Sequence, residues 1–200
     1  MVIVLAIAFV IQKAIIPPHV VGDYLALSLW GLKHGYVWQL LSFQFLHANF
    51  LHLLFNGFTL WMFGREVEEV LGKPRFLTLY FLSGAIGGLI QALLALVSLD
   101  LFGGAVVGAS AGIFGVVAAF TMIAPNRVLT MFAFYVIPIS MKAKVLLLVE
   151  VAVALLGMLV PSFFGAQIAN GADGFLEERK ISFGSFIFKS TFRPGRDAKR

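Results

Sequence analysis

Between Phe76 and Leu99 lie 24 consecutive residues without a single charge, and a run of that length constrains the fold more than any other feature of the chain. As a helix it would extend about 36 Å at 1.5 Å per residue, enough to cross the hydrocarbon core of a bilayer. The remainder of the chain agrees: 60% of its 200 residues are hydrophobic and 12% charged, against roughly 45–50% and 25% in soluble domains. That composition excludes a soluble globular enzyme, because too few polar side chains are present to cover its surface. It predicts an all-α polytopic membrane protein of one principal domain. Cysteine is absent, which excludes disulfides, thiolate metal sites and a cysteine nucleophile. The net charge of +5 and pI near 9.7 are read as membrane topology rather than nucleic-acid binding.

Five spans are expected: Met1–Ile16, interrupted by Gln12 and Lys13; Phe50–Gly64; Phe76–Leu99; Ala105–Ile123; and Val145–Val160. The segment Pro17–Leu46, with Trp30, Tyr36 and Trp38, reads as an interfacial loop, since amphipathic rings favour headgroup depth. Val128–Ser140 is apolar but short and reads as a membrane-facing loop. Arg65, Lys73, Arg75, Arg127, Lys142 and Lys144 fall on one side, Lys13 and Lys33 on the other. The richer side is cytoplasmic by the positive-inside rule, which puts the N-terminus inside. A sixth span should begin near Phe164, yet Gly165–Ala172 is followed at once by Asp173, Glu177, Glu178, Arg179 and Lys180. Each charge costs at least ~2.5 kcal/mol near mid-bilayer, so the sixth span is expected to be absent or damaged. The charge count sharpens the boundary: residues 1–172 hold 14 charged positions, whereas 173–200 hold 11. The chain accordingly divides into a membrane domain, 1–172, and a charged tail, 173–200.

Polar groups within apolar spans are the natural functional candidates. His52 and Asn56, four apart, share one helical face, while His47 is about 140° away around an ideal helix and should stand at the helix entrance. The bland alternative is that they hydrogen-bond neighbouring helices. Gly108-Ala109-Ser110-Ala111-Gly112 is a G-x-S-x-G pentapeptide, but it lacks the preceding strand and following histidine of a soluble hydrolase elbow. Two readings stay open. Gly104, Gly108 and Gly112 could form a small-residue packing stripe on a continuous helix. Alternatively Gly103–Ala109 is a loop and Ser110 opens the helix, its first-turn amides available to an oxyanion. Asn170-Gly171-Ala172-Asp173 lies where the last span should start. Asp100 and Glu150 carry no assigned role.

These clusters together resemble the rhomboid family of intramembrane serine proteases, over roughly Gly31 to Ala172. Trp38, the run from Phe45 through His47 and His52 to Asn56, Phe63-Gly64 with Glu68, Gly108-Ala109-Ser110, and Ile137-Pro138 with Met141–Lys144 carry the likeness. The resemblance implies a bundle of six membrane helices around a water-filled cavity, with Ser110 as nucleophile. It further implies that His52, Asn56 and the Ser110 amide form an oxyanion hole beside Gly108, and that His47 braces the outer loop. The implied partners are transmembrane protein substrates and the lipid bilayer; no nucleic acid, cofactor or metal is expected, and small size with no targeting extension leads to the expectation of a bacterial inner membrane. Two departures stand out. The family's Trp-Arg is Trp38-Gln39 here, which removes an arginine's hydrogen bonds. The family's general-base histidine, in an Ala-His-x-Gly-Gly-like run, is replaced by Ala172-Asp173-Gly174, so Asp173 occupies the general-base position. A non-catalytic relative that binds membrane helices is the competing expectation; a small channel or transporter would not explain the joint spacing.

Overall fold

A computed structural model describes residues 1–133 and 137–159 of the chain. Asp173, the proposed sixth span and the 173–200 tail lie outside the described residues. Helix α1 is Val2–Ala14, α2 Phe50–Leu71, α3 Lys73–Val97, α4 Ser110–Ile123 and α5 Ala143–Leu159. They coincide in order with the five expected spans. Among the described residues α3 alone is long and apolar enough to cross a membrane by length and composition, while α1 and α4 are apolar but shorter.

Local sequence explains the boundaries. Asn49 caps α2, its Oδ1 accepting from the His52 amide at 2.8 Å, the usual stabilisation of a first-turn donor. Only Gly72 separates α2 from α3, and Pro74 in the first turn of α3 suits a position where no amide is needed. At the far end of α4 the Arg127 guanidinium pairs with Glu66 of α2, tying the turn after α4 back to the bundle.

Helix α4 is the centre of the bundle, packed chiefly against α3 and α2. Leu53, Leu60, Phe63 and Val67 of α2 form one buried core with Ile113, Val116, Val117 and Phe120 of α4, and the Phe63 and Phe120 rings meet edge to face at 4.9 Å. Against α3 the approach is closer. A Cβ on Gly112 would come within 2.8 Å of the Tyr80 carbonyl oxygen, and one on Gly87 within 2.8 Å of the Ala111 methyl. Small residues thus set the α3–α4 distance, as in membrane helix pairs. The outward faces carry Ile3, Ile7 and Val10 on α1 and Leu82, Ile86, Leu89 and Leu93 on α3, a surface that water would penalise and lipid accepts.

Two expectations are corrected. The chain is not wholly helical: Val128–Ala133 (β1) and Ile137–Lys142 (β2) pair antiparallel, and Thr130 and Ser140 hydrogen-bond across them at 2.9 Å. The β-branched and aromatic side chains of that stretch favour strand, a signal outweighed earlier by its shortness. The fourth helix starts at Ser110 rather than Ala105, so Gly104 and Gly108 belong to no helical stripe. Gln39 makes bonds of its own within the Pro17–Leu46 loop. Fully buried, it accepts from the Ser28 amide and donates to the Asp23 carbonyl, both at 3.1 Å. That loop holds short helical segments, Leu29–Lys33 among them. Its exposed aromatic edge stacks Tyr36 on Trp38 with ring centroids at 4.8 Å, and the Trp38 indole donates to the Tyr24 carbonyl.

Candidate active site

The site forms where two helix beginnings meet. His52 lies in the first turn of α2, held there by the Asn49 cap, and Asn56 follows one turn further on the same face. Ser110 is the first residue of α4. The loop before it is fixed from a distance: Leu27 and Val106 exchange backbone hydrogen bonds at 3.0 and 2.8 Å, and the Gly108 amide donates to the Phe43 carbonyl at 2.9 Å. These ties join the Ser110 loop to the outer loop and decide between the two earlier readings of the pentapeptide in favour of a loop that delivers Ser110 to a helix start.

Gly108 is the hinge of the geometry. Its φ is +134°, a region that L residues rarely adopt, and it lies against the His52 imidazole. A Cβ built on it would be 2.9 Å from His52 Nε2, 2.8 Å from Cε1 and 3.7 Å from Ser110 Oγ. The ring edge of His52 and the serine hydroxyl therefore converge on one point. Ser110 is exposed, His52 half-buried and Asn56 buried. His52 Nδ1 and Asn56 Nδ2 are buried without a hydrogen-bond partner among the described residues. The amide is a donor with nothing to donate to, which a buried group tolerates poorly unless a ligand or water uses it. At the mouth of α4 the first-turn amides have no carbonyl one turn behind them, and the helix dipole favours negative charge there. A hydroxyl and an imidazole that meet at Gly108, at a helix N-terminus, with an unpaired amide one turn further along α2, are groups of the kind that can stabilise a developing oxyanion.

Gly108→Ala should show how tightly this is built. The substitution combines a disfavoured backbone conformation, at about 1–3 kcal/mol, with displacement of the His52 ring. Labelling of Ser110 by a serine-reactive fluorophosphonate should fall at least tenfold, roughly the effect of 1.4 kcal/mol; unchanged labelling would show that the His52–Gly108 contact does not matter.

His47 stands at the entrance to α2, just before the Asn49 cap. Its ring is fully buried and meets the His52 ring edge-on at 5.2 Å. Its backbone is gripped by Gln12 of α1, a residue that the sequence showed only as a polar break in an apolar run. Burial, followed by the neighbouring His52, pushes the His47 pKa down to about 4. Between pH 6.5 and 4 the unfolded chain thus binds a proton at His47 that the folded chain refuses, and stability rises with pH across that window. It is fully present above pH 6.5 and lost on acidification, by about 3 kcal/mol at most. Thermal unfolding in detergent at pH 7.5 and 4.5 should show a drop in midpoint that shrinks in His47→Gln; an equal drop in both proteins would contradict this.

Among the described residues no group of three or more His, Asp or Glu comes together to hold a metal ion. Asp173 lies outside the described residues, so the site as described consists of the Ser110 hydroxyl, the His52 imidazole and the Asn56 amide.

Comparison with known proteins gives a consistent set. A family model described as Rhomboid domain matches residues 34–175. The putative rhomboid protease YdcA of Bacillus subtilis is 44% identical over 59 residues, 30% of either chain. Rhomboid protein 1, mitochondrial, of Saccharomyces cerevisiae is 32% identical over 124 residues, 60% of this chain and 35% of that one. The rhomboid protease GlpG of Yersinia pestis is 34% identical over 92 residues, 46% of this chain and 33% of that one. The matched part of the chain spans about a third of each relative's length.

Proposed function

The chain belongs to the rhomboid family, and from that premise we propose that it is an intramembrane serine endopeptidase of low turnover that cuts transmembrane helices near the outer membrane surface. The observation that carries the reading is the convergence of the Ser110 hydroxyl and the His52 ring at Gly108. Ser110 Oγ attacks a substrate carbonyl carbon; as the C–O bond forms, charge moves to the carbonyl oxygen, where the Ser110 amide, His52 and Asn56 stabilise it. Collapse breaks the C–N bond, the nitrogen leaving as an amine that takes up the proton lost by the Ser110 hydroxyl, and gives an acyl-enzyme that water hydrolyses to a free carboxylate and Ser110. The carrier for that proton is poor. Asp173 stands where the sequence pattern expects a histidine after Ser110, and a carboxylate is in general a weaker base near neutrality than an imidazole. Low turnover follows from that deficiency.

The proposed setting is a bacterial inner membrane crossed by α1 to α5, N-terminus in the cytoplasm, with residues 1–172 as the membrane domain and 173–200 as a separate charged tail. The outward apolar faces of α1 and α3 and the Lys and Arg distribution support it. Helices of other membrane proteins would be the substrates; Ser110 at an exposed helix mouth supports access from the aqueous side.

A second reading, a non-catalytic relative that binds membrane helices, is favoured by one observation, the Ala172-Asp173-Gly174 run where a histidine is expected. Incubating proteoliposomes of the chain with a transmembrane substrate separates the two. Slow, Ser110-dependent cleavage supports the peptidase; substrate that co-purifies uncut with an unlabelled protein supports the binder.

A further inference from the structure

The last turn of α1 grips the peptide that leads into α2. Gln12, 3% exposed, donates from Nε2 to the His47 carbonyl and accepts at Oε1 from the His47 amide, both at 2.9 Å. Beside it Lys13 Nζ donates to the Ala48 carbonyl at 3.0 Å. One carboxamide thus satisfies both polar groups of one peptide residue, in a place from which water is excluded. Reciprocal bonds of this kind fix position as well as distance, and burial removes the solvent that would otherwise replace them.

What they fix is the start of α2. From His47 the chain runs through Ala48 to Asn49, whose side chain holds the His52 amide, and the His52 ring then meets Gly108 beside Ser110. No regular element spans the residues between Phe45 and Phe50, so within that stretch the bonds from Gln12 and Lys13 hold the backbone that leads into α2. We infer that Gln12 is a positioning residue, which holds His52 in register with the Ser110 hydroxyl through the His47 peptide. The inference rests on the reading of Ser110 and His52 as one site.

Gln12→Met keeps the length of the side chain and removes both bonds. Two measurements on the reconstituted full chain test the consequence. Hydrogen–deuterium exchange of the peptide covering residues 46–52 should speed up about tenfold, the loss expected when a buried hydrogen-bonded pair is broken. In the same variant the fluorophosphonate labelling rate and kcat should fall about tenfold, with KM for the transmembrane substrate within twofold, because substrate contacts are untouched. Val10→Met, at an exposed position of the same helix, should change neither. If Gln12→Met does not fold, Gln12→Asn, too short to reach both partners, should give the same pattern at smaller size. Unchanged exchange over residues 46–52 overturns the inference, and so does faster exchange with labelling unaltered. If the wild-type chain never labels at Ser110, the endopeptidase reading fails by itself, and the exchange measurement still decides whether Gln12 holds the entrance to α2.

Discussion

Ser110→Ala is expected to abolish covalent labelling of the reconstituted chain by a fluorophosphonate, a loss of about 10³-fold or more to background, as when a nucleophile is removed from a catalytic unit. The chain has no cysteine to compete for the probe, and the hydroxyls of Ser42 and Ser140 are committed to hydrogen bonds with the Leu25 carbonyl and Thr130. Ser110 differs from these in standing at a helix N-terminus beside Gly108, which the His52 ring also meets. Even without a dedicated base, a phosphonyl centre can be attacked slowly if its developing P–O⁻ is stabilised. The same donors should then matter in proportion: His52→Ala and Asn56→Ala should each reduce labelling about 10²-fold, and the double variant by less than the product, since both serve one oxyanion. Labelling that survives in Ser110→Ala would remove the serine from the mechanism. A fall in His52→Ala without one in Asn56→Ala would assign the amide to packing.

Parts of this arrangement are legible in the sequence alone, and the division has physical causes. His52 and Asn56 declared themselves because helical period and polar cost act locally: two polar side chains four apart in an apolar run share a face whatever surrounds them. The five main helices followed from apolar length in the same way. The start of α4 was not legible. Whether Gly103–Ala109 continues a helix depends on bonds from Leu27 and Phe43, more than sixty residues earlier, and a pattern of glycines fits both outcomes. Gln12 was hidden for the same reason, since its partner is 35 residues away and its only local mark was a break in hydrophobicity. The burial of Gln39 and its bonds to Ser28 and Asp23 are likewise set by residues 11 and 16 positions away, and leave no mark in the local sequence. The hairpin of β1 and β2 was missed where strand propensity and span length pointed in different directions.

The second large effect is a gain. If slow turnover comes from the missing base, supplying one should raise the rate of substrate cleavage by about 10²–10⁴-fold, the usual range for a positioned general base. Asp173→His alone should give little of this. Asp173, Glu177, Glu178, Arg179 and Lys180 fall within eight positions, and at several kcal/mol for each charge carried toward mid-bilayer, changing one leaves four to keep the segment out of the membrane. Replacing residues 173–200 by an apolar helix of about 20 residues, with histidine at position 173, meets both needs together. Cleavage by that chimera should rise as pH passes through the range of an imidazole, near 6.5, because the neutral ring takes the Ser110 proton. Adding Ser110→Ala to the chimera should return cleavage to background, which separates a restored dyad from a contaminating protease. A chimera that inserts and folds, yet cuts no faster than the parent, would mean that position 173 does not face Ser110. In that case the deficiency lies in the site itself, and the binding reading gains what the catalytic one loses.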